Sequence, residues 1–189
     1  MRDKAMNEYD GHWMTTYTGK RFHFLDPKPE EIDILDIAHH LSLLCRYTGA
    51  CREFYSVAEH SLRVSCIVPS ELQLAALLHD GSEAYINDIS RPVKYSHKLE
   101  VTERKILEAI GRKYKVDLFN PVIKEADNIL LATEARDLMP NMDGWAKLPR
   151  PLDIKIVPFP DCRKIEALFL QYFRTYSERG GQLCANTIG

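Results

Sequence analysis

The chain has 189 residues, 45% hydrophobic and 28% charged, the profile of one globular domain able to bury a core without disulfides or a structural metal. Its formal charge is −2 and its pI is near 6.4, which argues against a protein held on the phosphates of long nucleic acid but leaves room for a local pocket binding one small phosphate. No apolar run approaches the ~20 residues that cross a bilayer, and five cysteines without a C-x-x-C pair point to reduced thiols in a cytoplasmic protein.

Met1 to Trp13 is polar, lacks the apolar stretch of a secretory signal, and reads as a flexible extension (1–13) before a single domain at 14–180 and a tail at 181–189. Thr15 to Phe24 alternates around Gly19 and predicts a short β-hairpin, which Pro27 and Pro29 close off. Its aromatics Tyr17, Phe22 and Phe24 read as core more readily than as contacts to a base. From Glu30 the pattern turns helical, with Ile34, Ile37, Leu41, Leu44 and Cys45 at helical spacing. A second helix is predicted from Ser56 to Val68, with Ser56 as N-cap and Glu59 completing a capping box. A third runs from Glu71 to about Tyr85 and carries the apolar run Leu72 to Leu78. A loop containing Pro92 follows over Asp88 to Lys94. Helices are then expected over Leu99–Lys115, Pro121–Leu138 and Cys162–Tyr176. The proline-rich stretch 140–160 is irregular. The expected fold is all-α, a helical bundle with one N-terminal hairpin.

Four residues carry the chemistry: His60, His79, Asp80 and Asp127. His79-Asp80 follows Leu77-Leu78 at the end of a buried helical run, where unpaired polar groups would cost about 2–7 kcal/mol each. His60 sits in the apolar frame of Val57, Ala58 and Val64, and Asp127 precedes another apolar run. Imidazole and carboxylate donors suit Mn, Co, Fe, Ni or Zn. Two histidines and two aspartates leave open positions on such an ion, the mark of a catalytic site. The competing reading is that each is a hydrogen-bonded core residue or a cap. His39-His40 does not form a second metal pair, because adjacent helical residues point about 100° apart; one is expected to face the core and the other solvent. His23 and His97 have no constellation around them.

The order H…HD…D on helices resembles the HD-domain metal-dependent phosphohydrolases. The likeness extends over Leu44-Cys-Arg-Tyr47, Tyr55-Ser-Val-Ala-Glu-His60, Leu77-Leu-His-Asp-Gly-Ser-Glu-Ala-Tyr85, Asp88, Pro92-Val-Lys94, Ala126-Asp127 and Leu130 to Leu138. It is similar to the small bacterial and phage branch, which includes 5′-deoxynucleotidases of the YfbR and YfdR type and phage dATP triphosphohydrolases. The resemblance implies an HD bundle of six or seven helices and makes His60, His79, Asp80 and Asp127 the ligands of one divalent transition metal. A second ion, Mg, would accompany a polyphosphate substrate. Glu83 would orient or deprotonate the attacking water. Asp88 matches a second acidic residue near the scissile phosphate, against the plainer reading of a loop aspartate capping backbone amides. Arg46 matches an arginine that holds substrate phosphate. Lys94 and Arg91 could meet further phosphates, with Arg52, Lys20 and Arg21 as weaker candidates. Gly81 stands where many members have Ala, loosening the helix by up to ~1 kcal/mol.

The implied function is hydrolysis of a small-molecule deoxynucleotide by attack of metal-bound water on the α-phosphorus. A dNTP substrate, dATP among them, releasing deoxynucleoside and triphosphate is favoured slightly over a dNMP. A hydrolase of alarmones or cyclic nucleotides, a nuclease and a non-catalytic nucleotide-binding module are the competing classes. The resemblance also implies a homo-oligomer, a dimer or hexamer, with no membrane or long nucleic acid as partner.

Overall fold

The computed structural model describes residues 12–143, 145 and 147–179; the stretches 1–11 and 180–189 lie outside the described residues. Strand β1 (Trp13–Thr15) pairs antiparallel with β2 (Arg21–His23), with Met14 opposite Phe22. The hairpin thus begins at Trp13, two residues before the predicted start. Gly19 takes φ +80° in its turn, a conformation that costs glycine little. The turn is tied to the bundle because Thr18 N–H donates to Asp36 Oδ1 at 2.6 Å and Thr18 Oγ1 to Oδ2 at 3.0 Å. Phe22 is fully buried and stacks on Tyr85 at 3.7 Å, so this aromatic belongs to the core.

Helices follow in order: α1 (Ile34–Leu43), α2 (Val57–Cys66), α3 (Gln73–Leu78), α4 (Glu83–Ile86), α5 (Arg91–Ser96), α6 (Leu99–Tyr114), α7 (Pro121–Leu138) and α8 (Cys162–Arg179). Helices α1, α2, α3 and α8 pack on one another, α7 lies against α2, and α5 rests on α6. Ile37, Leu41, Leu62, Leu77 and Phe169 form the centre of the core and are fully buried. Burying such side chains contributes about 1.5–3 kcal/mol each. The segment 147–160 is irregular, as its prolines require. The N-terminus of α7 is set by Asn120, whose side chain accepts from Val122 N–H, with Pro121 in the first turn.

Four local expectations change. The helix predicted over 71–85 is broken: α3 ends at Leu78, and a turn over His79 to Ser82 leads into α4. Gly81 N–H donates to Leu78 O at 2.9 Å, and a Cβ on Gly81 would lie 2.9 Å from that carbonyl and 3.0 Å from Ile110 Cδ1. Gly81 therefore permits a close approach of α6, rather than merely loosening a helix. The second half of the 88–94 loop is the first turn of α5, with Pro92 near its start. The capping box at Ser56 is half formed: Ser56 Oγ accepts from Glu59 N–H at 3.1 Å, but the Glu59 carboxylate turns to Arg63 and to Phe159 N–H. Finally, His39 and His40 are both half-buried. His39 meets Glu166 and His40 meets Ala84 O, so they share no common point.

Candidate metal centre

Two helices and a turn bring the four ligand candidates together. His60 on α2 is fully buried, while His79 and Asp80 on the turn after α3 and Asp127 on α7 are half-buried at the opening. Suitable donor atoms of His60, His79 and Asp127 all lie within 4.8 Å of one another. Asp80 completes the ring, with Oδ2 3.5 Å from His60 Nε2 and Oδ1 3.3 Å from His79 Nε2. Asp127 Oδ1 lies 3.2 Å from His60 Nε2 and 3.9 Å from His79 Nε2. Neighbouring ligands of an ion held at about 2.1 Å stand roughly 3 Å apart, so the spacing is that of a slightly open coordination shell.

The hydrogen bonds fix which nitrogens face the centre. His60 Nδ1 meets Glu134 Oε1 at 2.6 Å and His79 Nδ1 meets Ala76 O at 2.8 Å. Both acceptors want an N–H, so each neutral ring keeps its proton on Nδ1 and presents the Nε2 lone pair. These two Nε2 atoms are buried and make no hydrogen bond. Lone pairs aimed at carboxylates repel unless a positive charge lies between them. A divalent cation supplies that charge, and the residues fit one. Without a cation His60 takes a proton instead: burial and Arg46 push its pKa down, but Glu134 and Asp127 outweigh them and raise it to about 9. Burial raises Asp127, yet His60 and His79 hold it well below the usual carboxylate range.

Glu134 is the residue that sequence reasoning missed. It is fully buried and accepts from His60, from Tyr55 Oη at 2.8 Å and from Tyr47 Oη at 2.6 Å. Arg46 Nε lies 3.2 Å from its other oxygen. Burial raises the Glu134 carboxyl, but Arg46 and His60 overcome it and lower its pKa to about 2. A carboxylate on the outer nitrogen of a ligand histidine orients the ring and strengthens it as a donor. The available signal was spacing: Glu134 is seven residues after Asp127, two helical turns along the same face.

Arg46 is brought to the cluster, with Nη1 3.4 Å from Asp80 Oδ2, and the surrounding acids hold its pKa well above the ordinary value despite burial. It opens a tight turn in which Tyr47, Thr48 and Gly49 all have positive φ. For Tyr47 and β-branched Thr48 that conformation costs on the order of 1–2 kcal/mol each. Asp88 steadies the turn by accepting Tyr47 N–H at 3.0 Å, which is the backbone-capping behaviour weighed for it. Glu83 opens α4 and is buried, and its Oε2 finds no hydrogen-bond partner. Burial, then Asp80 and Asp88, push its carboxyl far up against the pull of Arg46 and Lys94.

Lys94 is near enough for its charge to act on Glu83, but its Nζ is held by Glu103 at 2.7 Å. Arg91 stands exposed at the start of α5 and no contact joins it to the cluster. Lys20 pairs with Asp33, Arg21 lies over Trp13, and the Arg52 side chain is exposed. Lys124 was not anticipated; its Nζ lies 2.7 Å from Asp127 Oδ2. Of the isolated histidines, His23 has a partner after all, Glu31 at 2.7 Å. Among the described residues no helix is long and apolar enough to cross a membrane.

A mainly helical protein with a buried His/Asp cluster that could hold a metal ion is thus the class that fold and site define. No family model matches the chain. The uncharacterized protein YfdR of Escherichia coli strain K12 is 41% identical over 128 residues, 67% of this chain and 72% of YfdR. An uncharacterized protein of Rhodobacter capsulatus is 31% identical across 80% of this chain and 90% of its own length. The chain belongs to the family of these two proteins.

Proposed function

We propose that this protein is a metal-dependent phosphohydrolase of the HD-domain type, acting on deoxynucleotides and splitting a dNTP into deoxynucleoside and triphosphate. The observation that carries the reading is the pair of buried, unpartnered Nε2 atoms of His60 and His79 converging with Asp80 and Asp127 beside the Arg46 guanidinium. A divalent transition metal held by these four residues, Mn, Co, Fe, Ni or Zn, would acidify water and polarise a phosphoryl oxygen.

The protein's own groups do the remaining work. Arg46 offers planar N–H donors to a substrate phosphate and offsets charge growing on its oxygens. Glu83, buried at the cluster with an unpartnered oxygen, would take the proton of the attacking water once a bound cation offsets the Asp80 and Asp88 charges that push its carboxyl up. Glu134 fixes the His60 tautomer, and with Tyr47 it holds the turn that presents Arg46. Lys124 and Lys94 add cations whose present partners are carboxylates; a polyphosphate, with a second ion such as Mg, would compete for them.

Hydrolysis of dNMPs is the second reading. It is favoured by the engagement of Lys94 with Glu103 and the isolation of Arg91, which leave Arg46 and Lys124 as the cations against the cluster. Chromatography of the products from dNMPs, dNTPs and ribonucleotides, with Co, Mn or Mg added in turn, decides. Deoxynucleoside plus triphosphate is the expected result. Deoxynucleoside plus single phosphate from dNMPs alone would replace it with the second reading, and no turnover with any metal would overturn both in favour of a nucleotide-binding module.

A further inference from the structure

Cys45 and Cys51 sit at the two ends of the turn that carries Arg46, and their sulfurs are 3.5 Å apart. Both thiols are free and half-buried. Cys45 is anchored by a backbone bridge to Ser56. The Cys51 thiol also reaches Arg46 O at 3.7 Å. Between them lie Tyr47 and Thr48 in left-handed conformations, so the segment already stores backbone strain.

We propose that Cys45 and Cys51 form a reversible disulfide that re-sets the turn carrying Arg46. A disulfide needs its sulfurs at about 2.05 Å, so closure must shorten the present gap. The link also removes the Cys51 thiol from the Arg46 carbonyl. The Cys51 proton is held against Arg46 O, and burial with Cys45 pushes that thiol up to about 11, so the first attack is assigned to Cys45. The oxidant is a low-molecular-weight disulfide. The Cys45 thiolate attacks one of its sulfurs, forming a mixed disulfide and expelling one small thiol. Cys51 then gives up its proton and attacks the Cys45 sulfur, expelling the second small thiol. Two protein thiols lose two electrons and two protons, and the small disulfide becomes two thiols.

The inference does not depend on the proposed hydrolysis, and its test uses the whole chain in a Trp13→Phe background. Trp145, whose ring lies 6.2 Å from that of Tyr47, then reports on the turn by fluorescence. After equilibration with oxidised and reduced glutathione, peptide mass mapping should find Cys45 linked to Cys51 with loss of two hydrogens. Trp145 emission should shift and return with dithiothreitol, and Cys51→Ser should abolish both changes while keeping a glutathione adduct at Cys45. Absence of the linked peptide, or glutathione adducts alone on the parent chain, would overturn the disulfide. A linked peptide with unchanged Trp145 emission would overturn the movement of the turn.

Discussion

Glu134 Oε1 meets His60 Nδ1 at 2.6 Å, while Asp127 Oδ1 stands 3.2 Å from the opposite nitrogen of the same ring. Both carboxylates come from α7, two turns apart, and the imidazole of α2 is clamped between them. One acid fixes the tautomer; the other shares the pole where a cation would bind. Glu134→Gln keeps the size but not the charge, so the His60 ring loses its lock. Affinity for Co or Mn should fall about 10–100-fold, measured by calorimetric titration of a variant whose helical circular dichroism is unchanged. Equal affinity in the variant would remove Glu134 from the metal centre.

The same clamp makes the metal-free protein sensitive to pH. His60 rises to about 9 in the fold, against ~6.5 for a free histidine. The stabilisation is present in full below pH ~6.5 and is lost as pH climbs through the folded value, on the order of 3 kcal/mol in total. In chelator-treated protein Tm should therefore drop by about 6–12 °C between pH 6.5 and 9.5. Metal must displace the His60 proton, so loaded protein should show a flatter profile and metal affinity should rise over the same interval. A flat profile in the chelated protein would show that His60 is neutral there.

Legibility in the sequence followed locality. Helix α7 was readable to its ends because Asn120, Pro121 and its apolar spacing are all local signals. His60, His79, Asp80 and Asp127 stood out as polar residues set in apolar runs, and the structure brings all four together. The break between α3 and α4 was not readable. The apolar run Leu72 to Leu78 passes into His-Asp-Gly-Ser-Glu with no proline to stop the helix, and the interruption is tied to a tertiary contact, Gly81 against Ile110 of α6. Glu134 was hidden for a related reason. A glutamate on a helix normally reads as solvated surface, and only the approach of Tyr47, Tyr55 and Arg46 from distant segments makes it a hub.

Glu83 separates activity from stability. Its raised carboxyl pKa means that ionising it in place opposes folding, so the destabilisation grows as pH rises from ~4.3 toward the folded value. Glu83→Gln removes that charge and should raise the Tm of metal-free protein at pH 8 by a few degrees, about 2–4 °C per kcal/mol. The same variant cannot accept the water proton, and kcat should fall at least about 100-fold. A variant that gains no stability, or that keeps full kcat, would assign Glu83 to another role.

Gly81 is where packing and site meet. It follows Asp80 directly, and its missing Cβ is what lets Ile110 approach the turn. The flexible end of Ile110 can give way, but the Leu78 carbonyl at 2.9 Å is backbone and cannot without moving the turn itself. Gly81→Ala should therefore cost about 1–3 kcal/mol, lowering Tm by about 2–12 °C, and should displace the Asp80 carboxylate relative to His60 and His79. Thermal melts with and without Co test both effects. The stabilisation that Co confers should shrink in the variant, because the ion stabilises the fold only in proportion to how well the folded state binds it. If Gly81→Ala melts like the parent, the contact with Ile110 is not what ends α3.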